Sequence, residues 1–119
     1  MERRKLTKDE IIAKTGEIFG VIPVFHSYPA MSKEHITTTY FMRNIEFNGA
    51  DLRTFFKDYA LDIYVFYKKS ITADDFAKEE NFEKAMLQMG EFEKAYDYNP
   101  EYDVFSVRYS FDMKERINV

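Results

Sequence analysis

The chain has no cysteine and no tryptophan, and only four glycines and three prolines among its 119 residues. Without cysteine there are no disulfides and no thiolate metal ligands, which fits synthesis in a reducing cytoplasm. None of the few glycines stands in a phosphate-cradling pattern, so no nucleotide loop is expected. No stretch approaches the roughly eighteen apolar residues of a membrane-spanning helix. The start, Met1-Glu2-Arg3-Arg4-Lys5, is basic but leads into a polar helix start and not an apolar run. It reads as a frayed terminus, not a secretory signal. Excess positive charge is missing as well. The net charge is -4, and a domain whose task is neutralising phosphates needs a basic face, so tight nucleic-acid binding is not expected.

What the chain has in quantity is aromatic surface, twelve Phe and nine Tyr in a sequence that is 45% hydrophobic and 32% charged. That balance belongs to a folded chain, and the aromatic share favours sheet and interface over a helical bundle. The length fits a single domain, 1–119, able to bury roughly two-thirds of its unfolded surface.

The segment from Val104 to Met113 alternates as a half-buried strand. Phe105, Val107, Tyr109, Phe111 and Met113 fall on one side, and Ser106, Arg108, Ser110 and Asp112 on the other. A slip of one residue would bury an arginine and an aspartate in place of aromatics, so this strand sets its own register. Near the other end, Thr7-Lys8-Asp9-Glu10 is a capping box, with Leu6 and Ile11 placed as a hydrophobic staple. A helix over 8–19 follows, with Ile11, Ile12, Thr15, Ile18 and Phe19 on one stripe and Gly20 ending it. Gly16, costly within a helix, predicts close packing against the sheet.

Pro23 lies within 21–27, so a strand there is either an edge strand or one that begins at the proline, and Tyr28 to His35 reads as loop. Ile36 to Phe47 is rich in β-branched and aromatic residues, and Asn48-Gly49 predicts the turn of a hairpin. Residues 51–60 fit either a helix capped by Asp51 or a strand, and strand is favoured from Phe56 onward. Ala60 to Lys68 is apolar on both sides: Leu61, Ile63, Val65 and Tyr67 on one, Tyr64 and Phe66 on the other with the single charge Asp62. Thr72 with Asp74 and Asp75 opens a second helix. Its stripe is Phe82, Ala85, Met86 and Met89, with Phe76 out of phase and Gly90 as the stop. A strand over 91–98 and a turn at Asn99-Pro100 complete the chain. The expected fold is α+β in the order α-β-β-β-α-β-β, an antiparallel sheet of about four to five strands with both helices on one face.

Catalytic signals are weak. His26 and His35 have no carboxylate at metal-ligand spacing and read as ordinary, partly exposed histidines. The serines lack a nucleophile elbow. Asp74, Asp75, Glu79, Glu80 and Glu83 read as the capped end and solvated face of the second helix, not as paired catalytic carboxylates. The expectation is a protein without cofactor or metal that is not an enzyme. What stands out is the double-sided strand. Two helices cover one face of a small sheet, and no third is present for the other. Either the segment around 51–60 folds back over that face, or another subunit covers it. Phe41, Phe55, Phe56, Tyr64 and Phe66 are the candidate interface residues, and self-association is favoured.

Ile22-Pro23-Val24 after a short amphipathic helix, Tyr59-Ala60-Leu61-Asp62-Ile63-Tyr64-Val65, Met89-Gly90-Glu91-Phe92, Asp97-Tyr98 and Val107-Arg108-Tyr109-Ser110-Phe111 together give a pattern covering nearly the whole chain. It resembles the tail terminator, or tail completion, proteins of tailed bacteriophages and prophages. The resemblance implies an α+β subunit that assembles with itself into a ring, commonly of six, on the head-proximal end of the tail tube. Such a ring stops tube polymerisation and joins the tail to the neck. The partners it implies are the tail tube protein and a neck or connector protein, and the implied location is the virion, after synthesis in the bacterial cytoplasm. Another small neck or head-completion protein, or a non-viral α+β interaction module, would read in much the same way.

Overall fold

The computed structural model describes residues 6–25, 34–49 and 54–118. The basic residues Arg3, Arg4 and Lys5, His26, most of the loop expected over 28–35 and the cap expected at Asp51 lie outside these residues. The elements are α1 (Lys8–Phe19), β1 (Val24–Phe25), β2 (Ile36–Gly49), β3 (Thr54–Lys68), α2 (Ala73–Met86), a 3-10 turn over Leu87–Met89, β4 (Glu93–Asn99) and β5 (Val104–Asn118). The fold is α+β with the expected element order.

Local chemistry accounts for the helix ends. Thr7 Oγ1 accepts from the Glu10 backbone N–H and the Glu10 carboxylate accepts from the Thr7 N–H, each at 3.2 Å, which closes the capping box. Leu6 and Ile11 are both buried beside it, as a staple requires. Gly20 ends α1 at φ 80, in the left-handed region. Gly16 corrects an expectation. A Cβ there would meet Ile22 Cγ1 at 3.0 Å, so its close neighbour is the segment leaving the helix and not the sheet. α2 opens on a second capping box, Thr72 with Asp75.

The strands form one sheet in the order β1-β2-β3-β5-β4. Every pairing is antiparallel except β1 with β2, which is parallel, so the sheet is mixed and not wholly antiparallel as expected. β1 is the edge strand that Pro23 predicts, and Thr38 Oγ1 donates to the Val21 carbonyl at 2.8 Å beside it. Asn48 and Gly49 do not turn. They pair with Phe56 and Phe55 inside the hairpin, and residues 51–60 join β3 from Thr54 onward. A hairpin turn needs positive φ at its centre, but the same two residue types are tolerated in an exposed strand, and here the ladder continues through them.

Both helices pack on one face of the sheet. Ile11 and Phe19 from α1 and Phe82 and Met86 from α2 meet Leu61, Ile63, Val65 and Tyr67 on β3 and the alternating Val107, Tyr109, Phe111 and Met113 on β5. Phe82 packs its ring, tilted, 5.6 Å from Phe19 and 4.9 Å from Tyr109, which ties both helices to β5. Each fully buried side chain of this kind contributes roughly 1.5–3 kcal/mol.

Candidate assembly surface

The face opposite the helices carries Thr39, Phe41 and Arg43 on β2, Asp62, Tyr64 and Phe66 on β3, Ser106, Arg108 and Ser110 on β5, and Asp97 on β4. Register fixes this, because directly paired residues share a face. No helix lies over it among the described residues. Its aromatics instead lie along one another. Tyr64 stacks on Phe66 with centroids 5.8 Å apart, and Phe41 meets Tyr64 edge-on at 5.4 Å. Phe66 is thereby sealed to 7% exposure, whereas Phe41 and Tyr64 stay half-buried. They line an open groove of ≈ 580 Å³ together with Arg43, Asp62 and Asp97.

Asp62 is buried in the middle of this face. It accepts from Arg43 Nε at 2.8 Å, Arg43 Nη2 at 3.1 Å and Ser110 Oγ at 2.6 Å. Burial works against its charge. The hydrogen bonds from Arg43 and Ser110 and the nearby Arg43 and Arg108 charges outweigh that, and hold the carboxyl below the usual range. Beside this satisfied network is an unsatisfied row. Thr39, Tyr64 and Arg108 are register partners across three strands, and both Thr39 Oγ1 and Arg108 Nε are shielded from solvent without a hydrogen-bond partner.

The sheet also outruns its cover. β3 and β5 are each 15 residues long, against a usual three to ten, and the molecule measures 51 × 33 × 20 Å. The core ends at Tyr59 and Met113. Beyond it, residues 45–49, 54–58 and 114–118 form a three-stranded arm. β1 pairs only with Thr39 and Tyr40 of β2, and β4 only with residues 104–110 of β5, so the arm's two outer edges have no neighbouring strand among the described residues. A bulge divides arm from body. Register skips between Arg43 and Glu46, with Asn44 at φ 56, and side chains after it change face.

Four of the five candidate interface residues share the open face, Phe41, Tyr64 and Phe66 in the groove and Phe56 out on the arm, where Lys114 Nζ lies 5.0 Å from its ring centroid. Phe55 does not join them. It pairs with Gly49 and Ile117 and points to the helix side, because β3 runs without interruption from Thr54 and odd-numbered positions face the helices throughout.

A second polar centre, unexpected from the sequence, lies under α2. Asp75 caps the helix and Asp74 and Glu80 are exposed, as expected of a capped end and solvated face, but Glu79 is buried, which corrects that reading for this one acid. Glu79 accepts from the Tyr67 hydroxyl at 2.7 Å and from the Tyr96 hydroxyl, and Lys94 Nζ is 3.2 Å away. Lys94 also pairs with Glu83 at 3.0 Å, and the Tyr109 hydroxyl donates to Glu83 at 3.2 Å. Burial and then the glutamate push the Tyr67 hydroxyl far up, and burial with the two glutamates does the same to Tyr109. Burial opposes the Lys94 charge, but Tyr96, Glu83 and Glu79 outweigh it and raise the group. Near neutrality, then, the tyrosines keep their protons and the lysine its charge, which suits a clamp between α2 and β4. The missed signal is spacing: Asp75, Glu79, Phe82 and Met86 fall on one helical stripe.

His35 is partly exposed, with Nε2 2.7 Å from the Asp75 carboxylate and Nδ1 3.2 Å from the Lys68 carbonyl. No group of three or more His, Cys, Asp or Glu side chains that could hold a metal ion is present among the described residues. No protein-family model matches the chain, and no curated protein sequence matches it.

Proposed function

We propose that this chain is a structural subunit that associates head-to-tail into a ring on the head-proximal end of a phage tail tube, ending tube growth and joining tail to neck. The observation that carries the association is the arm. Three long strands leave the helical layer with both edges open among the described residues, an arrangement that natural sheets shorten, charge or cover unless another chain pairs there. The open face adds to it, with half-buried Phe41 and Tyr64 and the unsatisfied Thr39 and Arg108 atoms on either side of Tyr64. Two unlike surfaces on one chain favour heterologous contacts, and these close into a ring when the rotation permits. The assignment to a tail rests on the resemblance carried by Tyr59 to Val65 and Val107 to Phe111.

Negative-stain imaging of the purified chain mixed with tail tubes tests this reading. A ring at one end of each tube, with tubes no longer extending when tube subunits are added, is the expected result. Tubes that keep growing and bind no chain would overturn it.

A further inference from the structure

Asn48 is the one asparagine that precedes a glycine; Asn44, Asn81, Asn99 and Asn118 are followed by isoleucine, phenylalanine, proline and valine. In place of a turn, Asn48 and Gly49 form the last rungs of β2, and the ladder decides which of their backbone groups stay free. Even-numbered residues of β3 bond to β2 and odd-numbered ones to β5. The Lys68 N–H on the His35 carbonyl at 2.9 Å and the Lys69 N–H on the Asp103 carbonyl at 2.8 Å mark that alternation at the other end of the strand. Phe56 therefore bonds to Asn48, whereas Phe55 spends its N–H and C=O on Ile117. Gly49, opposite Phe55, makes no ladder bond. Its N–H points to the outer edge of β2, where no strand runs among the described residues.

The Asn48 side chain is exposed on the open face, and its Nδ2 donates to Asp58 Oδ2 at 2.6 Å. A side-chain amide thus stands next to a backbone nitrogen that makes no ladder bond and that, belonging to glycine, has no Cβ beside it. Ring closure between the two needs Asn48 to turn out of the extended conformation, and the rung to Phe56 is what holds it. The end of a strand with one neighbour, outside the helical layer, opens by local fraying without global unfolding.

We propose that Asn48-Gly49 is a self-modifying site whose product releases β2 from β3 in the arm. The Gly49 nitrogen gives its proton to solvent and bonds to Asn48 Cγ. The Cγ–Nδ2 bond breaks, and Nδ2 leaves as ammonia with a proton from solvent, which closes a cyclic imide. Water then opens the imide. Cleavage between the nitrogen and Cγ gives aspartate, and cleavage between the nitrogen and the backbone carbonyl gives isoaspartate, whose main chain runs on through Cγ. In sum an amide and water become a carboxylate and ammonium, and nothing is oxidised or reduced. The donor to Asp58 is now an anion. The charges on this face of the arm are Glu46 and Asp58 against Lys114, 3.9 Å from Asp58, and Arg116, which shares the Asn48 row across Phe56. A further carboxylate tips that balance and sets two anions where a hydrogen bond was. Isoaspartate also lengthens the main chain and breaks the register of the last rungs. The site works in this way whether or not copies of the chain meet at the arm.

Incubating the full chain in mildly alkaline buffer, with and without unfolding urea, and reading position 48 by peptide mass spectrometry tests the reaction. Conversion in the native protein within about tenfold of the rate in urea is expected, as the opening of one end rung allows. Both aspartate and isoaspartate should form, with Asn44 of the same strand intact. A native rate more than about a hundredfold below that in urea would tie the reaction to global unfolding and overturn the proposal. Amide hydrogen exchange in fresh protein reads the release. Asn48→Asp should speed exchange at Phe56 and Asp58 by about tenfold, and adding Asp58→Asn should restore the native rate, because donor and acceptor have only traded places. Exchange unchanged in Asn48→Asp would overturn the release.

Discussion

Arg43 holds Asp62 through two parallel hydrogen bonds from one guanidinium, Nε to Oδ2 at 2.8 Å and Nη2 to Oδ1 at 3.1 Å, reaching across from β2 to the only charge in the stretch from Tyr59 to Tyr67. Ser110 completes the carboxylate from β5. Three strands are thus tied at one buried oxygen pair, on the face that no helix covers among the described residues. A charge in an otherwise apolar central strand is stable only in the register that delivers both partners, so Asp62 specifies pairing as well as contributing to stability.

Replacing Asp62 by Ala should cost about 2 kcal/mol at neutral pH, because Ser110 loses its acceptor and the strand its anchor. The pH dependence has a definite sign. The folded carboxyl is held below its unfolded value of about 3.9. Its contribution is therefore complete above that value and is lost as the pH falls through the folded one. Urea midpoints of the native chain and of Asp62→Ala should differ clearly at neutral pH and converge in acid. A constant difference would mean that the charge is not what matters.

Glu79 and Glu80 are neighbours in sequence with opposite surroundings, 1% against 69% side-chain exposure. Glu79→Ala removes the acceptor of two tyrosine hydroxyls and one partner of Lys94, and should cost about 3 kcal/mol. Glu80→Ala removes only an exposed pair with Lys84, worth less than about 0.5 kcal/mol. Chemical denaturation of the two variants side by side measures the contrast, and equal effects would return α2 to the solvated-face reading.

The contrast marks how far the sequence could be read. Signals that act within one element were legible: the Thr7 capping box set the start of α1, Gly20 its end, and the alternation from Phe105 to Met113 gave the face and register of β5. What depends on a distant partner was not. Glu79 is polar, so only its phase with Phe82 and Met86 hinted that Tyr67, Tyr96 and Lys94 would gather around it. Phe55 was placed on the wrong face because a strand's parity is uncertain until its start is known, and 51–60 fitted two periods at once. The bulge at Asn44 and the parallel pairing of β1 depend on the ladder as a whole and left no local mark. The candidate surface was legible in outline, since Asp62, Tyr64 and Phe66 alternate in plain sight. Its arm was not.

Gly20 stands at φ 80 with nothing within 4 Å of where a Cβ would be. Substituting Ala therefore creates no clash and tests the backbone alone, at a cost of about 1 kcal/mol. Gly20→Asn should cost less, since asparagine tolerates the left-handed region better. Thermal melts of both variants check the order. Equal stability of Gly20→Ala and the native chain would show that α1 ends by other means.

The open face and the arm make separable demands on their aromatics. Phe66, 7% exposed and stacked on Tyr64, should behave as a core residue, so that Phe66→Ala loses about 3 kcal/mol in a dilute monomer. Phe47 is 64% exposed and outside the buried core, so Phe47→Ser should change monomer stability by less than about 0.5 kcal/mol. Under association the order reverses. If the arm is where subunits meet, Phe47→Ser shifts sedimentation of the concentrated protein toward monomer while its unfolding midpoint in dilute solution stays in place. A Phe47→Ser chain that unfolds early without any change in association would make the arm part of the fold, and a chain altered in neither respect would leave Phe47 with no role in either.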